Sequence, residues 1–273
     1  MNILYIGDVM GGMGLLAVEK VLPQLRKERG IDFVVAQAEN VTDGKGVSPE
    51  DFARLRKAGV DFCTGGNWTL ANESIYPALA DPAQPIVRPA NYPDSPGLPY
   101  KISNTIQSIV LGREAKILVV SLMGQIVGRD ADKPTDNPLK TIDSILAKEA
   151  GNYDMAVVNL HGDFSSEKFI IGYYLDGRAS VVVGDHWHVP TADADVLPKG
   201  TAHMTDVGMC GSLDSSLGVR FGSVLPRWRD SMQTRNVLET DGRSQFNALL
   251  VTVDAETGKA TKAEHIRQIF SQE

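Results

Sequence analysis

The stretch that decides the fold reads Ala179-Ser-Val-Val-Val-Gly-Asp-His-Trp-His188, an apolar β-like run that feeds two imidazoles. If the strand of Ala179 to Val183 continues through them, side chains alternate at a period of two: His186 and His188 share one side and Trp187 points away. Two neutral imidazoles on one side make a metal grip, although two solvated surface histidines satisfy the same pattern. Recurrence favours the grip. Ile3 to Ile6 leads to Asp8, and Phe33 to Ala36 leads to Glu39 and Asn40. Val60 to Thr64 leads through two glycines to Asn67, and Met155 to Val158 leads through Asn159 and Leu160 to His161. In an open parallel sheet the loops at the carboxyl ends lie side by side, so residues distant in sequence converge there.

Between these runs the chain reads as helix. Ala17, Val18, Val21, Leu22 and Leu25 recur at helical spacing, and Gly30 closes that segment. Ser48-Pro49-Glu50-Asp51 has the form of an N-cap, a first-turn proline and an acidic first turn, and the helix it opens ends near Gly59. Strand, helix, strand, helix, strand predicts parallel pairing with right-handed crossovers. The middle differs: Thr105 to Leu111 and Lys116 to Leu122, separated by Gly112-Arg113-Glu114, predict a hairpin. A helix is expected from Pro138 to Glu149, and a second hairpin from Phe246 to Val253 with its turn at 254–258. The expectation is an α/β sandwich with mixed sheets and helices outside.

The 273 residues suffice for a full core, and no linker, repeat or low-complexity run divides them, so residues 1–273 are expected to form one domain. The densest loop is Arg88 to Pro99, too rich in proline for helix. A formal net charge of −7 argues against wrapping duplex nucleic acid through phosphate contacts. It leaves room for a small phosphorylated substrate, because bound cations invert the local field. No apolar run reaches the length of a membrane span, and no basic leader precedes the first strand. Cys63 and Cys210 provide no disulfide framework, so the expected location is cytoplasmic. A homo-oligomer is left open.

Gly12-Met13-Gly14-Leu15-Leu16-Ala17 offers a rival reading. It fits the glycine pattern of a dinucleotide-binding turn, with Glu39 placed for ribose hydroxyls, as in an oxidoreductase. However, Asp8 occupies the tight turn, and this reading leaves Asn67, His161, His186 and His188 without a task.

Together, Ile6-Gly-Asp8-Val, Ala38-Glu39-Asn40, Gly66-Asn67, Arg88-Pro-Ala-Asn-Tyr-Pro93, Asn137-Pro138, Ser166-Glu-Lys168, His186-Trp-His188-Val-Pro-Thr-Ala-Asp193 and Thr205-Asp-Val-Gly-Met209 resemble the YmdB-type calcineurin-like metallophosphoesterases. The blocks run in order from residue 3 to about 211. The resemblance implies a four-layer α/β/β/α sandwich that carries two metal ions and hydrolyses phosphoesters, 2′,3′-cyclic nucleotides among them. Carried over position by position, Asp8, Glu39, Asn40 and His188 hold one metal. Glu39 bridges to a second, held also by Asn67, His161 and His186. Such nitrogen-rich sites suit iron, manganese or zinc better than magnesium. The implied chemistry is in-line attack by a metal-bridging hydroxide, with the metals neutralising phosphoryl charge.

The chain departs from that family at Trp68, where a histidine that donates a proton to the leaving oxygen is expected. An indole offers a hydrogen bond but no acidic proton near neutral pH. Asn159 and Asp163 replace acidic residues that could orient His161, and His203 stands where an aromatic is usual, a candidate substitute acid or an ordinary strand residue. Arg220, Arg227, Trp228, Arg229 and Arg235 read as a solvated helix rather than a basic lip over the site. Two functions follow: a working phosphodiesterase or phosphatase on cyclic nucleotides or small phosphoesters, or a weakly active metal- and nucleotide-binding regulatory module.

Overall fold

A computed structural model describes residues 1–108, 111–127 and 131–271. The elements run β1 (Asn2–Ile6), α1 (Gly11–Glu28), β2 (Phe33–Gln37), α2 (Pro49–Ala58), β3 (Phe62–Thr64), α3 (Tyr76–Ala80), β4 (Tyr100–Ser108), β5 (Arg113–Met123), α4 (Pro138–Lys148), β6 (Met155–His161) and α5 (Ser165–Tyr174). They continue with β7 (Val181–Asp185), β8 (Asp195–Val196), β9 (Ala202–Met204), β10 (Gly211–Ser212), α6 (Phe221–Asp230), β11 (Arg243–Val253) and β12 (Ala260–Ser271). One sheet has the order β10-β11-β1-β2-β3, with β12 paired to β11, and the other has the order β4-β5-β6-β7-β9-β8. β1, β2 and β3 are mutually parallel, as are β5, β6, β7 and β9; the β4–β5 and β11–β12 hairpins are antiparallel. Both sheets are therefore mixed, as the two expected hairpins require. Residues 109 and 110, inside the predicted run Thr105 to Leu111, lie outside the described residues.

Strand alternation builds the four layers. On β1, Leu4 and Ile6 face α1 and α2, while Ile3 and Tyr5 face the second sheet together with Phe33, Val35, Ile117, Val119, Val157 and Val183. The far side of the second sheet, with Leu118, Val120, Val158 and Val182, receives Ile142 and Ile145 of α4 and Ile171 of α5. Ile3, Leu4 and Val157 are fully buried, and each such side chain stabilises by roughly 1.5–3 kcal/mol. Local signals agree with the packing. Ser48 caps α2 by accepting from the Asp51 N–H, Gly59 closes that helix in the left-handed region, and Asn137 caps α4. Among the described residues no helix is long and apolar enough to cross a membrane.

One expectation fails in detail. The strand before the histidines is Val181–Asp185, so His186 and His188 lie beyond it. Both have positive φ, 102° and 63°, a region that non-glycine residues enter only when surrounding contacts hold them there. Left-handed turns, not strand alternation, set the direction of these imidazoles.

Candidate metal centre

Asp8, Glu39, Asn40 and Asn67 follow the carboxyl ends of β1, β2 and β3, and they meet His161 at the end of β6 and the two histidines after β7. Asp8 is fully buried. Its Oδ2 accepts from the His186 backbone N–H at 3.0 Å, while its Oδ1 has no hydrogen-bond partner among the described residues. That bare oxygen lies 3.9 Å from His188 Nε2 and 4.0 Å from His161 Nδ1, too far for a hydrogen bond. Burial, with the nearby Asp185 charge, pushes the Asp8 carboxyl well above the usual carboxylate range. Glu39 offers Oε2 to the backbone N–H of Trp68 at 2.9 Å and Oε1 to His161 Nε2 at 2.9 Å. Asn40 donates from Nδ2 to the Gly44 carbonyl, and its own buried Oδ1 has no partner among the described residues. Asn67 Oδ1 stands 2.9 Å from His161 Nε2. Gly66 makes this approach feasible: a Cβ there would sit 2.3 Å from Glu39 Oε2 and 2.5 Å from His161 Cδ2.

His161 is held from behind. Its Nδ1 lies 2.5 Å from Asp185 Oδ1, and Asp185 Oδ2 collects Tyr5 Oη at 2.7 Å, Asn159 Nδ2 at 3.0 Å and Gln37 Nε2 at 3.2 Å. A carboxylate that fixes Nδ1–H turns Nε2 toward Glu39 and Asn67. Burial lowers the basicity of the ring, yet the charges of Glu39 and Asp185 prevail and raise it well above the usual value. Burial also pushes the Asp185 carboxyl up, but the charge and hydrogen bond of His161 reverse that and hold it below its ordinary value. Asp185 is the residue that sequence reasoning missed, although it precedes His186 in the stretch first quoted.

His186 sets its ring edge-on to His161, with centroids 4.5 Å apart, and its Nε2 lies 3.4 Å from Asp163 Oδ1. Asn159 and Asp163 thus act at different places: the first steadies Asp185, and the second faces His186 rather than His161. His188 lies with Nδ1 3.2 Å from the Leu217 carbonyl, which assigns the proton to Nδ1 and leaves Nε2 facing Asp8. Burial lowers both rings, His186 to about 4, so they are neutral donors at pH 7.

The turn carrying them rests on a buried ion pair. Lys168 Nζ and Asp206 Oδ2 are 2.8 Å apart with both side chains fully buried. Asp206 Oδ2 also accepts from the Trp187 backbone N–H, and Oδ1 accepts from Gly208 N–H. The indole of Trp187 lies over Lys168 Nζ at 4.0 Å and donates to the Asp163 carbonyl at 3.0 Å. Trp187 is thereby pinned while its two neighbours take left-handed conformations.

Trp68 touches the cluster through its backbone N–H to Glu39. Its half-buried ring has Lys45 Nζ at 4.5 Å and Lys133 Nζ at 5.6 Å from its centroid. His203 does not join the site. It lies on β9 against Gly172 and Phe169 of α5, with Nδ1 2.9 Å from the Val182 carbonyl, on the helix-facing side of the sheet. The expectation that 220–235 is only a solvated helix is also corrected. Arg227 and Trp228 line a cavity of about 520 Å³ together with Glu39, Asn40, His186 and His188.

Glu39, His161 and His186 bring ligand-type atoms within 4.8 Å of one another, and so do Asp8, His161 and Asp185. Bare oxygens on Asp8 and Asn40, neutral imidazoles, and a third imidazole driven to hold a proton where carboxylates converge describe a pocket that fits cations. Glu39 is engaged in this cluster, 1% exposed, and Gly14 packs against the Cys210 carbonyl inside α1. Gly14 thus serves packing while Gly12 faces open space, and the dinucleotide reading loses its acidic residue.

A family model described as YmdB-like protein matches residues 4–266. The chain is 34% identical over 266 residues to a 2′,3′-cyclic-nucleotide 2′-phosphodiesterase of Bacillus subtilis, covering 97% of this chain and 96% of that one. Among solved structures, a hypothetical protein from Thermus thermophilus superposes with a TM-score of 0.86 at 35% identity, covering 98% of this chain and 99% of that chain. A novel phosphatase of Mycoplasma pneumoniae superposes with a TM-score of 0.89 at 29% identity, covering 98% and 93%.

Proposed function

Because the chain belongs to the YmdB-like family, we propose that it is a metal-dependent phosphoester hydrolase, a phosphodiesterase or phosphatase acting on cyclic nucleotides or small phosphoesters. One observation carries this: ligand-type side chains from the ends of five strands converge on a buried pocket that retains two oxygens without hydrogen-bond partners. Asp8, Glu39, Asn40 and His188 would hold one metal, and Glu39, Asn67, His161 and His186 the other. Iron, manganese or zinc suits this mixture of imidazole and oxygen donors. When bound, the pair supplies Lewis-acid charge neutralisation and lowers the pKa of water.

The side chains divide the remaining work. Asp185 and the Leu217 carbonyl fix the tautomers of His161 and His188, so their Nε2 atoms face inward. The Trp68 backbone N–H orients Glu39. Asn40 and Asn67 contribute neutral oxygens, which add no repulsion toward an anionic substrate. Trp68 lacks a proton for the leaving oxygen. The ammonium of Lys45 above its ring brings positive charge to that side of the cavity, so the leaving group receives electrostatic help in place of an imidazolium.

Turnover of bis-nitrophenyl phosphate and 2′,3′-cyclic AMP that disappears on chelation and in Asp8→Ala and Glu39→Ala tests this reading; turnover that survives all three overturns it. The absent proton donor favours a second reading, a weakly active module that binds metal and nucleotide. Saturable nucleotide binding by the metal-loaded protein without turnover would select it.

A further inference from the structure

The cleft over the ligand residues opens into a larger chamber of about 1200 Å³, and Lys45, Trp68, Arg227 and Asn236 line both. That volume exceeds the roughly 300–1,000 Å³ of an ordinary small-molecule pocket. Its charge is the reverse of the chain's. Elsewhere Arg29, Arg54, Arg113, Arg178, Arg229 and Arg243 each pair with a carboxylate. Around the chamber, Lys45 and Arg235 have no carboxylate partner among the described residues. Among the described residues Arg227 is held there by neutral acceptors alone, the Thr234 carbonyl and hydroxyl and Asn236 Oδ1. Among the described residues Asp43 is the one acid on the wall, against those three cations. Indoles complete the surface: Trp68 lines both the chamber and the cleft, and Trp228, 81% exposed, lines the cleft that opens into the chamber. Unpaired cations interleaved with aromatic faces track a sugar–phosphate backbone and stack its bases.

We infer that this chamber binds the nucleotides upstream of a terminal 2′,3′-cyclic phosphate, so that single-stranded RNA ends are preferred over free cyclic mononucleotides. The inference rests on the hydrolase reading for the reacting phosphate and on the chamber for the rest of the substrate. At the reacting end, the oxygen of water bonds to phosphorus, the P–O2′ bond breaks and the 2′-oxygen departs with a proton, leaving a 3′-phosphomonoester. Upstream phosphates meet Arg227 and Arg235 in the chamber, and the base that crosses the cleft stacks on Trp228.

The test compares kcat/KM for 2′,3′-cyclic AMP and for triadenylate ending in a 2′,3′-cyclic phosphate, using the metal-loaded full chain. A preference for the trinucleotide of about tenfold is expected. It should fall about sevenfold between 50 and 200 mM salt if two phosphate contacts are made. Trp228→Ala should cut the trinucleotide-to-mononucleotide ratio at least about fivefold, the lower bound for removing one stacked base, and Arg235→Ala should cut both the ratio and its salt dependence. Equal turnover of the two substrates, or a ratio unmoved by both variants, overturns the inference. A parallel arm measures anisotropy of fluorescein-labelled triadenylate 3′-phosphate. If neither substrate is hydrolysed, the hydrolase reading fails on its own. Binding that Arg235→Ala weakens would then still support the chamber, and absence of binding would refute it.

Discussion

Asp185→Asn exchanges one oxygen for an amide nitrogen, and the surrounding donors dictate which way the amide turns. At the Oδ2 position, Tyr5 Oη, Asn159 Nδ2 and Gln37 Nε2 all donate. Placing the new NH₂ there would leave up to three buried donors unsatisfied, at about 1–3 kcal/mol each. The amide oxygen therefore takes that place, and the NH₂ faces His161 Nδ1, where Asp185 Oδ1 now lies at 2.5 Å. Two donors cannot share that distance. The imidazole must give up its Nδ1 proton and keep the one on Nε2, which Glu39 Oε1 and Asn67 Oδ1, each 2.9 Å away, accept. A protonated Nε2 is no ligand. Loss of such an orienting partner typically costs 10- to 100-fold in metal affinity, about 1.4–2.8 kcal/mol. Competition against a chromophoric chelator reads the affinity, and circular dichroism verifies the fold, which the variant should retain because every donor finds a partner. A folded Asp185→Asn protein that binds metal as tightly as wild type would refute the tautomer argument.

Three further outcomes follow from the same contacts. Trp68→His should speed a ribose-leaving cyclic nucleotide by roughly 10²- to 10⁴-fold and a nitrophenyl phosphate far less; equal gains on both would discard the proton-donor account. Lys168→Met strands the buried carboxylate of Asp206 and should cost about 3–5 kcal/mol in urea unfolding, with Lys168→Met/Asp206→Leu recovering part of it; a single variant as stable as wild type would contradict this. His186, lowered from 6.5 to about 4 in the fold, binds its proton more readily when unfolded. Stability of the metal-free protein should thus fall as pH drops from about 6.5 to 4, by at most about 3 kcal/mol. His186→Gln should lack that component, and identical pH slopes in the two proteins would refute it.

The layers were legible in the sequence because alternation on buried strands and caps such as Ser48 are local signals, and Leu4 and Ile3 report opposite faces without knowledge of their neighbours. The convergence of Asp8, Glu39, Asn40, Asn67, His161, His186 and His188 was likewise visible, since each follows an apolar run. What stayed hidden depends on contacts between distant segments. The turn at His186 and His188 is left-handed because Asp206, on another segment, takes the Trp187 N–H while Lys168 lies against its ring; nothing local to residues 186–188 encodes this. His203 carried no local mark of the sheet face it occupies until β9 was paired with β7. Arg227 and Trp228 read as surface because a helix's own periodicity does not reveal which cleft it overhangs.

In the proposed hydrolase, these contacts would separate the grip on metal from the handling of the leaving group. Among the described residues, Trp68 bonds to the cluster through its backbone N–H on Glu39 Oε2, a bond that any residue but proline leaves intact, whereas its ring interacts with Lys45 and Lys133. Exchanging indole for imidazole should therefore move turnover and leave metal affinity where it was, while Asp185→Asn moves metal affinity first. The two variants should fail in opposite assays, because in the proposed hydrolase one acts behind His161 and the other on the leaving-group side of the cavity.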